Sequence, residues 1–88
     1  MNMKETKQKL PKWFNGELYE EGATVRNRFS GEEYELNNVE LSMYDFVVGS
    51  TIMLEMAEGY KHTNVSELRK GLDWFRKNNT EAYMVLLD

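Results

Sequence analysis

Thr24-Val25-Arg26-Asn27-Arg28-Phe29-Ser30-Gly31-Glu32-Glu33-Tyr34-Glu35-Leu36, followed at once by Asn37-Asn38-Val39-Glu40, decides the fold. β-Branched and aromatic residues flank Ser30-Gly31, a pair suited to a tight turn, so the first stretch reads as an antiparallel hairpin. With Ser30-Gly31 as a two-residue loop, Phe29 faces Glu32, Arg28 faces Glu33, Asn27 faces Tyr34, Arg26 faces Glu35 and Val25 faces Leu36. Alternation then sets Arg26, Arg28, Glu33 and Glu35 on a polar face, where each arginine meets an acid, and leaves Val25, Phe29, Tyr34 and Leu36 on an apolar one. Self-pairing with those acids argues against a phosphate or carboxylate clamp. Asn37 and Glu40 fit a capping box, the asparagine accepting from the third helical amide and the glutamate reaching back to the cap. Strands running straight into a helix give an α+β chain.

The helix that starts at Asn37 extends to about Glu58, free of proline and apolar around most of its circumference. At about 100° per residue, Glu40, Tyr44, Thr51, Glu55 and Glu58 share one narrow sector. Such a helix wants cover on several sides, and few elements remain to supply it, so self-association is expected, most simply as a homodimer. Met53 and Met56 are the candidate contact residues, because methionine suits an adaptable surface. Three neighbouring elements covering the helix internally is the competing reading. Asp45 falls on the apolar side of the wheel among Leu41, Ile52 and Met56. There it must be paired or protonated, either as an anchor to an amide, a tyrosine hydroxyl or an arginine, or as a functional acid. Gly49 and Ser50 weaken the helix, which is tolerable where another backbone packs closely.

After a break at Gly59 to Thr63, Asn64-Val65-Ser66-Glu67 repeats the capping pattern. Leu68, Leu72 and Phe75 form an apolar stripe flanked by Trp74, opposite Arg69, Lys70, Asp73, Arg76 and Lys77. Asn78-Asn79 ends this helix, Thr80 can cap a last turn, and Ala82 to Leu87 reads as a short helix with a strand as the alternative. Asn64-Val65-Ser66 and Asn78-Asn79-Thr80 match the glycosylation pattern but are better explained as helix punctuation.

Upstream, Trp13-Phe14-Asn15-Gly16-Glu17-Leu18-Tyr19 suggests a second short hairpin about an Asn-Gly turn. Trp13, Phe14 and Tyr19 are then candidate exposed aromatics for binding a partner protein. Residues 1–11, with Lys4, Lys7 and Lys9, read as a flexible basic arm that precedes a single domain over 12–88.

The chain has 88 residues, of which 41% are apolar and 12% aromatic, too many large apolar groups for a disordered chain and enough for one small core. Fifteen acids against eleven bases leave a net charge of −4, which lacks the basic footprint of a nucleic-acid binder. The exception is local: Arg69, Lys70, Arg76 and Lys77 beside Trp74, joined by the N-terminal lysines, carry the alternative of a nucleic-acid-associated accessory factor. Without cysteine there is no thiol chemistry or zinc-thiolate site, and His62, the single histidine, cannot build a metal site without a set of carboxylates. A triad around His62 and Asp45 lacks a nucleophile elbow, and the glycines form no phosphate loop. No catalytic, cofactor-binding or metal residue is assigned. The amino terminus has no apolar core of a secretory signal and no stretch is long enough to span a bilayer, so a cytoplasmic, non-membrane protein is expected.

Phe29-Ser30-Gly31-Glu32-Glu33-Tyr34-Glu35-Leu36, Glu40-Leu41-Ser42-Met43-Tyr44-Asp45-Phe46 and Gly71-Leu72-Asp73-Trp74-Phe75-Arg76-Lys77 resemble short uncharacterised proteins encoded by marine cyanophages and related ocean viruses. The resemblance covers roughly residues 12 to 88. It implies a viral gene and a host-cell cytoplasm, and it brings no activity or site residues with it. A non-enzymatic, self-associating interaction protein is the functional expectation.

Overall fold

The hairpin comes first: a computed structural model describes residues 8–56 and 65–87, and in it β1 (Ala23–Arg26) pairs antiparallel with β2 (Glu33–Leu36). Three helices follow, α1 (Asn38–Glu55), α2 (Val65–Asn78) and α3 (Thr80–Leu86), which makes the chain α+β. The described residues stop short of the break at 57–64, so the expected caps at Gly59 and Asn64 and the position of His62 lie outside them, whereas α1 ends at Glu55 with an extended Met56 as its cap, short of the expected Glu58.

The register differs from the tight-turn expectation by two residues: Val25 faces Tyr34 and Arg26 faces Glu33. The loop is longer because Asn27 organises it. Its side-chain oxygen accepts from the amides of Phe29 and Ser30, its carbonyl accepts from Gly31, and its amide donates to Glu32. Gly31 adopts φ +81°, the left-handed conformation that closes the loop. Since the shift is even, each strand residue keeps its face, and Leu36 is buried as the pattern requires. Phe29 is displaced from the strand into the loop, however, and stands 85% exposed instead of joining the apolar face. Of the two arginines, Arg26 pairs with Glu33 at 2.9 Å, and Arg28 reaches Glu55 of α1.

The Asn37 side chain accepts from the Glu40 amide at 2.8 Å, and Glu40 Oε1 accepts from the Asn37 amide at 3.0 Å, so the capping box is complete. α1 and α2 cross closely where Gly71 takes the place of a side chain, against Val47 and Met43. The close approach therefore falls on Gly71, whereas Gly49, expected to be that point, has open space around its Cα. Leu36, Met43, Val47, Leu68, Phe75, Ala82 and Leu86 form the core between the helices and β2. The amphipathic stripe of α2 buries Leu68 and Phe75 with Leu72 half-buried at its edge. α3 is a helix, capped by Asn79, whose side chain accepts from the Ala82 amide; Thr80 is its first helical residue.

No second hairpin forms upstream. The Phe14 amide bonds to the Pro11 carbonyl, and Trp13 and Phe14 fold onto Phe46 of α1, with ring centroids 5.8 and 5.6 Å away. Gly31 is the only positive-φ glycine among the described residues, so Asn15-Gly16 makes no type I′ turn. Ser42, buried in α1, accepts from the Tyr19 amide at 3.0 Å and donates to the Asn38 carbonyl, which fastens this segment to the helix. Within the arm expected over 1–11, Gln8 to Pro11 is docked. Gln8 bonds Glu40, Asn37 and the Asn78 carbonyl, and the Lys9 carbonyl accepts from the Trp74 indole.

Candidate functional site

Where β1 leaves the sheet, its loop leans over the second half of α1 and leaves a groove of about 320 Å³. Arg28 and Phe29 form one wall, Tyr44, Val48 and Ile52 the floor, and Leu72 with Leu86 and Leu87 the far side. Tyr44, Val48 and Ile52 recur at helical spacing, which is why one face of α1 lines the groove. That loop wall is held by Asn27, whose side-chain amide donates to the Val85 carbonyl at 2.9 Å and so ties the loop to α3.

The polar groups sit at the mouth. Arg28 lies 3.5 Å from Glu55 and stacks over Phe29 at 4.9 Å. Burial pushes the Tyr44 hydroxyl above its ordinary value, and the Arg28 guanidinium pulls it partly back. The groove lining contains no carboxylate, histidine or thiol among the described residues. An apolar side chain would fit it, with charge at the rim.

Toward its C-terminal end, α1 runs out of cover. Ile52 is 42% exposed, Met53 41% and Met56 60%, and Leu54 is exposed with them. Met53 and Met56, the expected contact residues, are on an open surface. Trp13, Phe14 and Tyr19 are not: all three are half-buried, Trp13 and Phe14 because Phe46 offers them an aromatic partner, and Tyr19 because its amide is bonded to Ser42. Leu18 is the exposed apolar residue of that segment.

Asp45 is exposed, not buried among apolar groups, because Ile52 and Met56, its neighbours on the wheel, are themselves exposed. Its partner is the Tyr19 hydroxyl, whose pKa is raised by burial first and then by the Asp45 and Glu17 charges and the Asp45 hydrogen bond. Glu40, read as part of a polar sector, is instead buried.

The basic residues of α2 are divided. Asp73 takes Arg76 at 2.7 Å and Lys77 at 3.1 Å, and these two partners hold its carboxyl below the usual carboxylate range. Arg69 and Lys70 stay exposed. A shallow cleft of about 170 Å³ beside them includes Asp73 and Tyr83, so its charge is mixed.

A further cavity of about 540 Å³ at the start of α1 is ringed by Glu20, Glu21, Glu35 and Glu40. No group of three or more histidine, cysteine or acidic side chains able to hold a metal ion exists among the described residues. No described helix is long and apolar enough to cross a membrane.

Sequence reasoning missed Phe29 as a surface residue because the register set it in a strand. The signal that could have found it is Asn27, a residue that bends its own backbone and so lengthens the loop. Comparison with protein families, with curated proteins and with solved structures finds no match to this chain.

Proposed function

We propose that the chain is a non-enzymatic interaction protein, a virus-encoded accessory factor of the host cytoplasm, that self-associates through the groove and the open end of α1. The observation that supports this is Phe29, 85% exposed on the lip of an apolar groove that Ile52 also lines, with Met53 and Met56 uncovered at the end of the same helix as Ile52. Scattered exposed apolar residues are ordinary, whereas a large aromatic, an apolar cleft and an uncovered helix end on one side of a small domain mark an interface. Self-association would leave the rest of the surface, including Leu18, to a host or viral protein. A nucleic-acid role draws less support, since two of the four basic residues on α2 share an ion pair with Asp73.

The test is Ile52→Asp. The site is half open, so the fold should survive, and a charge there should shift the chain to monomer in size-exclusion chromatography with the circular dichroism spectrum unchanged. An elution position identical to that of a self-associating wild type would remove the α1 end from the interface.

A further inference from the structure

We infer, building on the self-association proposed above, that the groove is occupied by a second copy of this chain related by a two-fold axis. Phe29 of each protomer enters the other's groove, and Arg28 of each pairs with Glu55 of the partner subunit.

A two-fold interface uses the same patch twice, so the patch must complement itself: any knob needs a hole beside it and any cation needs an anion. This patch carries both pairs. Phe29 projects from the lip of a hole lined by Val48 and Ile52, and the exposed cations there, Arg26 and Arg28, each lie against an exposed anion, Glu33 and Glu55. A strongly acidic or basic partner would meet a rim with no net charge, and a second copy meets its own complement.

The ion pair is built to change partners. Arg28 and Glu55 are separated by 3.5 Å, longer than the 2.7 to 2.9 Å typical of a charge-assisted bond, and their side chains are 56% and 61% exposed. Releasing Glu55 therefore breaks no tight contact. Arg28 lies over the Phe29 ring at 4.9 Å, so charge and knob are presented to the partner together.

Charge reversal separates exchange between copies from pairing within one copy. Arg28→Glu places acid opposite acid at both copies of the contact, and Glu55→Arg places base opposite base, so each variant alone should dimerise about tenfold more weakly than wild type. Mixed in equal amounts, the two regain both oppositely charged pairs, but only if the pairs run between protomers. Native mass spectrometry of the mixture should then show the heterodimer dominating both homodimers. Arg76→Glu mixed with Asp73→Lys repeats the same change in net charge on α2, outside the groove, and should leave a statistical mixture. Dimeric wild type with no heterodimer enrichment in the first mixture, or with equal enrichment in the second, overturns the exchanged pair while leaving self-association standing. A wild type that stays monomeric at every concentration overturns the self-association itself.

Discussion

Asn79 Nδ2 donates to Glu40 Oε2 at 2.9 Å, joining the cap of α3 to the first turn of α1 across 39 positions of sequence. Gln8 donates to the same oxygen at 2.8 Å, and the Asn37 amide donates to the other. One carboxylate, 5% exposed, thus gathers the segment before the hairpin, the start of α1 and the α2–α3 junction. Acidic charge in the first turn also suits the positive end of the α1 dipole.

Removing that carboxylate takes an acceptor from three donors at once. Glu40→Ala should destabilise the fold by about 3 kcal/mol, given what hydrogen bonds to a charged group contribute and what unsatisfied buried donors cost. Urea unfolding measures it, and a loss within experimental error of zero would mean that water replaces the network freely.

Two helical glycines should respond with opposite sign. Gly49 has nothing within 4 Å of an added Cβ, so Gly49→Ala should stabilise by about 0.8 kcal/mol through helix propensity. At Gly71 the new methyl would sit 3.0 Å from Val47 Cγ2 and 3.3 Å from Met43 Sδ, both on buried side chains. Overpacking there outweighs propensity, and Gly71→Ala should destabilise by about 1 kcal/mol. Thermal unfolding of the pair tests the α1–α2 crossing directly.

The capping box was legible because Asn37 and Glu40 are three residues apart and act on each other's backbone. The wider role of Glu40 was not, since Gln8 and Asn79 come to it only through the tertiary fold. Hairpin faces were legible from alternation, yet the register slipped by two because the Asn27 side chain competes for loop amides that the strand pattern ignores. In the same way the aromatic content of Trp13 and Phe14 was plain, and its use against Phe46 was hidden: an aromatic that folds back onto a helix has the same local sequence as one that faces water. The excess apolar surface of α1 could be read from its wheel, whereas the groove needed Phe29 and α3 to be placed first.

Tyr34 links stability to alkaline pH. Its hydroxyl donates to Glu81 Oε1 at 2.8 Å, and that hydrogen bond, followed by burial and the Glu81 charge, raises its pKa above the ordinary 10.0. The folded protein holds this proton more tightly than the unfolded chain, so the contribution is fully present below about pH 10 and fades as pH rises through the folded value. Tyr34→Phe should therefore lower stability at pH 8 and converge with wild type in strong alkali. Parallel curves from pH 8 to 11 would show that the bond to Glu81 adds nothing.

Phe29→Ala separates fold from assembly. The ring is too exposed to support the core, so the unfolding midpoint of a dilute, monomeric sample should not change. Dissociation of the dimer should rise by tenfold or more, as truncation of a central aromatic anchor at an interface does. A fall in monomer stability with no change in dimerisation would assign the ring an internal role.

Light scattering of the wild-type chain across a hundredfold range of concentration tests self-association most directly. The account predicts a mass that climbs from the 10.4 kDa of one chain toward twice that value as concentration rises. A mass fixed at 10.4 kDa throughout would contradict it and leave the Phe29 groove without its second copy.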